Sequence, residues 1–279
     1  MIDFGFWASG AGAQLIIELL LLGVAVGFLA GLLGIGGGML MVPALSLVLT
    51  QRGVDAGLAV KMAIATSMAT ILFTSLASVR AHHGLRTVRW PIVRAMSPGI
   101  VVGGLLAGAG VFAVLKGRGL ALLFVVFVGY SALQMLRNRP PKPGRELPRS
   151  AVQAAVGFGI GFTSGLLGAG GAFMAVPFMT WCNVSPRQAV GTSAAIGVPI
   201  AISSTLGYTV SGWQLHSGLP GAAGYFYLPA VAVMALASMS LAPWGARTAQ
   251  RIPVLVLRRL FALLMLTLAS LMLHRALSG

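Results

Sequence analysis

Two glycine clusters within apolar sequence are the residues of this chain most suited to binding chemistry. They read Gly-Ile-Gly-Gly-Gly at 34–38 and Gly-Ala-Gly-Gly at 168–171. Glycine is less favourable than alanine in a helix by about 1 kcal/mol, so a cluster breaks the helix and releases backbone N–H and C=O groups. In lipid, such groups must be buried in protein or line a wet cavity. A helix that restarts after the break directs its N-terminal N–H groups at that cavity, which predicts an anion site.

A Thr-Ser pair follows each cluster, within Ala63-Ile-Ala-Thr-Ser67 and Ala189-Val-Gly-Thr-Ser193. The hydroxyls can donate hydrogen bonds to an oxyanion, or they can bond to the helix backbone as structural groups. For the glycine clusters the alternative to a ligand cavity is close packing. The candidate substrate-binding residues are Gly36, Gly37, Gly38, Thr66, Ser67, Gly170, Gly171, Thr192 and Ser193.

Glycines spaced four apart precede each cluster, at positions 23, 27 and 31 and at positions 157, 161 and 165. Small residues at this spacing form a helix face that another helix can approach closely. We interpret these two glycine ladders as packing surfaces rather than as part of a binding site.

Ionisable groups suited to a membrane site are few. Glu18 is the only acid in an apolar segment, which argues against a carboxylate-based cation pump and agrees with an anionic substrate. Arg80 and His82 end one apolar segment, and they either anchor the chain to lipid headgroups, line an anion vestibule or, in the case of His82, carry a proton. No Cys/His cluster has metal-ligand spacing, so we predict no metal and no cofactor.

The composition places these residues in a membrane. Of 279 residues, 57% are hydrophobic and 8% are charged, against roughly 25% charged in a soluble domain. The net charge of +15 comes from basic clusters between long apolar runs, which is unlike a nucleic-acid-binding surface. These features exclude a soluble enzyme, a nucleic-acid binder and a disulfide scaffold, and they predict an all-α polytopic membrane protein.

The apolar segments form two similar halves. They lie at about 14–34, 38–50, 62–79, 92–115, 119–136, 151–168, 172–182, 189–207, 225–246 and 254–273. Residues 23–43 and 157–177 are identical at 11 of 21 positions. A duplication of this kind is typical of transporters. We predict a first membrane repeat at 14–136, a cytoplasmic linker at 137–150 and a second membrane repeat at 151–275.

The distribution of basic residues predicts that the repeats are inverted. If each glycine-broken region is a hairpin that returns to its own side, 14 basic residues lie on the linker side and 5 on the other. If each region crosses once, the division is 10 against 9. Because basic loops stay in the cytoplasm, we favour the hairpin, with three further transmembrane helices in each repeat.

The duplicated G-L-L-G-I-G-G-G-x-x-x-V-P and G-L-L-G-A-G-G-A-x-x-x-V-P motifs, each followed by A-x-A/G-T-S, resemble the TauE/SafE family of sulfite exporters. Leu219–Pro229 and Ala242–Arg247 are similar to later segments of that family. One departure is Ala172, at the position of Gly38 in the first repeat. The resemblance implies a bacterial inner-membrane permease for sulfite, sulfonates such as sulfoacetate, or related anions.

We therefore expect a secondary carrier that exports a small sulfur-containing anion by alternating access, with a proton as one option for the coupling ion. Two alternatives use the same donors: a passive anion channel, and an uptake permease for another small organic anion. A membrane enzyme is disfavoured because the sequence has no nucleophile–base pair, metal cluster or nucleotide motif. The expected partners are the substrate anion and the lipid bilayer.

Overall fold

The computed structural model describes residues 10–33, 37–137, 144, 146–215, 217–248 and 254–278. In these ranges the chain forms ten main helices: α1 Gly10–Leu33, α2 Gly38–Gln51, α3 Ala56–Gly84, α4 Trp90–Val114, α5 Gly117–Arg137, α6 Ser150–Leu167, α7 Ala172–Trp181, α8 Pro186–Gly212, α9 Leu228–Thr248 and α10 Val254–Ser278. Helix α4 is π-helical over Leu106–Val111. Two short antiparallel strands, β1 Ala222–Ala223 and β2 Phe226–Tyr227, precede α9.

Seven of these helices are long and apolar enough to cross a membrane: α1, α3, α4, α5, α6, α8 and α9. Helices α2 and α7, which follow the glycine clusters, have only 14 and 10 residues. The prediction of an all-α polytopic membrane protein with two short segments is therefore confirmed.

Helix caps account for two of the differences from the predicted boundaries. Helix α3 begins at Ala56 rather than at 62, because the Asp55 carboxylate accepts a hydrogen bond of 3.0 Å from the Leu58 N–H. Helix α8 begins at Pro186 after the N-cap Ser185. The segment predicted from 225 starts instead with strand β2, and its helix begins at Leu228. Hydropathy alone misses polar first turns and short strands.

The glycine ladders are packing surfaces, as predicted. A Cβ on Gly27 would lie 2.4 Å from Ser238 Cα of α9, and one on Gly161 would lie 2.3 Å from the Ile100 carbonyl oxygen of α4. Along both contacts the residue numbers of the two helices rise together. Helices α1 and α9 are therefore parallel neighbours, and so are α6 and α4.

Helices of each half of the chain pack against helices of the other half. Helix α1 packs on α9, and α6 packs on α4, so the first helix of each half contacts the fourth helix of the other half. Helices α3 and α8 lie at the centre and contact each other. They are the most buried of the seven candidate spans. The Thr-Ser pairs lie on these two central helices.

Candidate functional site

The two glycine breaks have nearly the same backbone geometry at the residue before the second helix. Gly37, before α2, has φ 76° and ψ −11°, and Gly171, before α7, has φ 74° and ψ −11°. This left-handed conformation costs about 1–2 kcal/mol for a residue with a Cβ. A Cβ would also lie 2.1 Å from Val26 Cγ1 at the first position and 2.4 Å from Ile200 Cδ1 at the second. The backbone at each break therefore favours glycine for two independent reasons.

The breaks lie against each other inside the bundle. A Cβ on Gly38 would be only 1.9 Å from the Gly168 carbonyl oxygen. Gly168 in turn lies against Ile64 of α3, since a Cβ on this glycine would be 3.2 Å from Ile64 Cα. The Gly170 carbonyl oxygen is 3.9 Å from the position of a Cβ on Gly197 in α8. The clusters that the sequence predicted as one site are therefore neighbours at the central helices.

The predicted glycines of this contact region are buried where the structure describes them. They are Gly37, Gly38, Gly170 and Gly171. Gly36 lies outside the described residues. A ligand at this position would be surrounded by protein rather than exposed at the surface of the bundle.

The N-terminus of α2 lies at this contact, and α7 begins four residues after Gly168 in the chain. In α2 the Leu40 and Met41 N–H groups bond to the Gly37 carbonyl at 3.1 and 3.2 Å, and in α7 the Met174 and Ala175 N–H groups bond to the Gly171 carbonyl at 3.1 and 3.0 Å. Helix geometry leaves the N–H groups of the preceding residues without an intrahelical acceptor. The positive end of each of these two helix dipoles favours a negative charge, whereas the carbonyl of Gly168, the C-cap residue of α6, brings a negative helix end to the same contact.

Thr66 and Thr192 make equivalent hydrogen bonds. Thr66 Oγ1 accepts from the Tyr227 N–H at 3.0 Å, and Thr192 Oγ1 accepts from the Arg89 N–H at 3.0 Å. Tyr227 directly precedes α9, and Arg89 directly precedes α4. Both threonines are fully buried. Each side chain thus fixes the loop before a helix of the other half, which supports the structural interpretation of its hydroxyl.

Ser67 and Ser193 differ from each other. Ser193 is buried and donates to the Val190 carbonyl at 2.8 Å. Ser67 is fully buried, and its Oγ has no hydrogen-bond partner among the described residues. An unpaired buried hydroxyl costs about 1–3 kcal/mol. Of the four predicted hydroxyls, Ser67 is therefore the one whose hydrogen-bonding capacity a polar ligand would satisfy.

Arg80 and His82 have different environments. Arg80 is exposed, whereas His82 is 2% exposed. His82 Nε2 lies 3.3 Å from the Gly31 carbonyl oxygen, and Nδ1 lies 3.1 Å from Thr87 Oγ1. The Thr87 hydroxyl donates its own hydrogen to the His82 carbonyl at 3.0 Å, so its oxygen accepts from the ring. Both partners are acceptors, and only the protonated ring has two N–H groups to satisfy them together.

Sequence reasoning missed Lys61. The predicted span began at residue 62 and left this lysine in a loop, whereas it lies in the second turn of α3. Its Nζ donates to the Ala113 carbonyl oxygen at 3.1 Å. The Asp55 N-cap, three residues before the Leu58 N–H that it binds, was the sequence signal that places the helix start earlier.

Comparison with known proteins identifies similar membrane proteins. A family model described as sulfite exporter TauE/SafE matches residues 19–272. A probable membrane transporter protein of Haemophilus influenzae is 34% identical over 256 residues, which are 91% of this chain and 96% of the relative. Another from Methanocaldococcus jannaschii is 25% identical over 235 residues, or 84% of this chain and 86% of the relative. No solved structure matches the chain significantly.

Proposed function

This chain belongs to the sulfite exporter TauE/SafE family and is a multi-pass membrane transporter, and we propose that it exports a small sulfur-containing anion such as sulfite, a sulfonate or sulfoacetate. The observation that carries the proposal is that the two glycine breaks meet at the contact between Gly38 and Gly168, and that a short helix starts directly after each break. The N–H groups at the start of each short helix, in a buried, low-dielectric position, favour an anion. The site has no need of a basic side chain.

The packing of the helices supports an inverted arrangement of the two repeats. Helix α1 is parallel to α9, and the end of α2 lies in one cleft wall with Tyr225, just before α9 begins. Helix α1 thus starts, and α2 ends, at the same end of the bundle, as expected of a hairpin. In the second half α6 is parallel to α4, and the Trp181 carbonyl at the end of α7 accepts from the Gly144 N–H, shortly before α6.

We propose alternating access as the transport mechanism of these inverted repeats. The repeats would rock about the contact between the two breaks and expose the anion first to one side and then to the other. The backbone N–H groups of Gly36, Gly37, Gly170 and Gly171 would bind the anion, and Ser67 would donate its unpaired hydroxyl. The remaining candidates Gly38, Thr66, Thr192 and Ser193 would hold the two breaks and their loops in position.

The proposal also includes the orientation of the protein in the membrane and the direction of transport. We assign the transporter to the bacterial inner membrane, with the linker at 137–150 in the cytoplasm, because the loops on its side hold most of the basic residues. We assign export because the matching family model is described as a sulfite exporter.

His82 is the proposed site of proton coupling. Protonation would satisfy both acceptors of the ring, and loss of the proton would weaken its link to the Gly31 carbonyl in α1, three residues before the first glycine cluster. Arg80 would act at the exposed surface as a vestibule or headgroup-binding residue.

A passive anion channel is the second candidate function, because the same N–H donors would also stabilise an anion in a pore. Uptake of labelled sulfite, sulfoacetate and acetate into proteoliposomes, with and without an imposed proton gradient, separates the two. Saturable uptake of the sulfur anions that responds to the gradient supports the coupled carrier. Equal flux of all three anions without a response to the gradient supports the channel.

The site assignment is tested by Gly37→Leu and Gly171→Leu in the same vesicles. Gly110→Leu is the matched control, since a Cβ at this exposed position has no atom within 4 Å. We expect both site variants to lose sulfur-anion uptake and the control to retain it. Normal uptake by folded Gly37→Leu and Gly171→Leu proteins would overturn the site assignment.

A further inference from the structure

A second polar feature lies outside the proposed transport site. It is a cleft of about 500 Å³ between α2, α3 and α5, closed on its remaining sides by the loop before α9 and by Met272 of α10. Three of its lining side chains are basic, Lys61, Lys116 and Arg118, and one is acidic, Asp55. The cleft therefore has a net positive lining.

Lys61 is held in place by three neighbouring groups. Its ammonium donates to the Ala113 carbonyl oxygen and lies 5.6 Å from the ring centroid of Phe112 and 5.7 Å from that of Tyr225. The two rings and the carbonyl hold the charge in one place, which reduces the entropy lost when a ligand binds. An ammonium has three N–H donors, and the carbonyl uses one of them.

The start of α5 brings the other two cations to the cleft. A Cβ on Gly117 would lie 2.0 Å from the Gly57 carbonyl oxygen, so α5 begins in direct contact with α3. Lys116 and Arg118 flank this glycine and are exposed. The Asp55 carboxylate already caps α3 through the Leu58 N–H. The field at the cleft mouth is thus dominated by positive charge, which raises the local concentration of anions.

The cleft shares helices α2 and α3 with the proposed transport site. The buried Ser46, which lines the cleft, lies in α2, eight residues or about 12 Å from the start of that helix. Along α3, Lys61 lies five residues or about 7.5 Å from Thr66. The cleft and the site proposed for transport are therefore separated by roughly one to two helical turns along α3 and α2.

The uncharged walls of the cleft are partly apolar. Leu58, Leu215 and Met272 contribute aliphatic surface, and Tyr225 contributes an aromatic face beside the Lys61 ammonium. Burial raises the pKa of the Tyr225 phenol further above neutral, and its hydroxyl is a hydrogen-bond donor. A ligand that carries an oxyanion on a short carbon chain matches this combination better than a bare inorganic anion does.

We propose that this cleft, which lies at the start of α5 and therefore on the side opposite the linker, is the exit vestibule for the exported substrate and that it binds a small organosulfonate, with the sulfonate oxygens on the Lys61 ammonium and the carbon chain against Tyr225 and Leu215. Lys116 and Arg118 attract the anion to the mouth. The inference rests on the proposed function, because it names the substrate class and the exit route of the same transporter.

Lysine footprinting of the intact transporter in lipid nanodiscs tests the proposal without a transport assay. The chain has three lysines, and the third, Lys142, provides the internal reference for reagent consumed by the anion. The protein is acylated briefly with or without sulfoacetate, sulfite or sodium chloride at equal ionic strength, and each lysine is quantified by mass spectrometry. We expect sulfoacetate to protect Lys61 several-fold and at a lower concentration than sulfite, while chloride has little effect.

Two results would overturn the vestibule. One is equal protection by chloride, which would reduce the effect to general screening, and the other is equal protection by sulfite and sulfoacetate, which would remove the role of the apolar wall.

Direct binding of sulfoacetate gives a second measurement. Lys61→Gln should weaken affinity roughly tenfold to a hundredfold, the effect of losing one charge-assisted hydrogen bond, whereas Lys61→Arg should retain most of it. Arg187→Gln, which removes an exposed charge elsewhere, is the control.

Different results would refute the proposed vestibule and the proposed transport site. If Gly37→Leu abolishes uptake but Lys61 is not protected in the wild-type protein, the vestibule is wrong and the proposed function stands. If Lys61 is protected but Gly37→Leu and Gly171→Leu transport normally, the cleft binds the anion and the glycine site is wrong.

Discussion

Replacement of Gly38 by alanine is the sharpest test of the contact between the two helix breaks. The added Cβ would lie 1.9 Å from the Gly168 carbonyl oxygen, and Cβ atoms in proteins essentially never approach closer than 3.0 Å. The breaks must therefore separate by about 1.1 Å or more. The obstructing atom belongs to the backbone, so no side-chain rotation can relieve the overlap. Gly38 has no positive φ, and the effect is therefore one of space rather than of local backbone strain.

Overpacking of this kind costs about 1–3 kcal/mol. For a protein of this size such a loss lowers the Tm by about 2–12 °C. We also expect anion uptake to fall by roughly tenfold or more, since a displacement of about 1 Å is enough to spoil a preorganised binding geometry. Thermal unfolding of the purified protein in nanodiscs and uptake into proteoliposomes measure the two effects separately.

Gly159→Ala is the matched control for this substitution. Gly159 is also a helical glycine, but a Cβ there has no atom within 4 Å. Alanine should leave uptake unchanged and raise stability by up to about 1 kcal/mol through its helix propensity. Wild-type Tm and uptake in Gly38→Ala would refute the proposed contact between the two breaks, whereas equal losses in both variants would point to a general intolerance of alanine.

Three further predictions follow from the hydrogen bonds and the glycine ladders. Thr66→Val leaves the buried Tyr227 N–H without its acceptor and should lower the free energy of unfolding by about 1–3 kcal/mol. Thr66→Ser keeps the oxygen and should retain most of that stability. Equal stability of the two variants in unfolding measurements would contradict the hydrogen bond. Gly27→Ala places a Cβ 2.4 Å from Ser238 Cα and should lower the Tm, and an unchanged Tm would argue against close packing of α1 on α9. His82→Gln should abolish the response of uptake to an imposed proton gradient, and a retained response would remove His82 from the coupling mechanism.

The local backbone of the breaks could be predicted from sequence because it depends on short-range sterics. A run of glycines in apolar sequence stops a helix wherever it occurs, and the short helices α2 and α7 follow the two clusters as expected. The ladder at 23, 27 and 31 was equally readable, since a period of four residues places small side chains on one helix face. The duplicated motif also sufficed to recognise the family over most of the chain.

The roles of the two Thr-Ser pairs could not be predicted from the sequence. Thr66 and Thr192 bind backbone N–H groups 161 and 103 residues away in the chain, and nothing local indicates these partners. The same holds for Ser67 and Ser193, which both follow a threonine in the duplicated motif but differ in their hydrogen bonding. Whether a buried hydroxyl is satisfied depends on which atoms the rest of the fold brings to it.

Lys61 shows most clearly what the sequence determines and what only the tertiary structure decides. By itself the sequence determined that the chain crosses a membrane, that it contains two similar halves and that each half is broken by glycine, because hydropathy and backbone freedom are properties of neighbouring residues. Only the tertiary structure decided that a lysine of α3 lies beside Phe112 of α4 and Tyr225 of the loop before α9. That cluster requires three segments far apart in the chain to meet, and a contact of this kind is fixed by packing rather than by any local pattern.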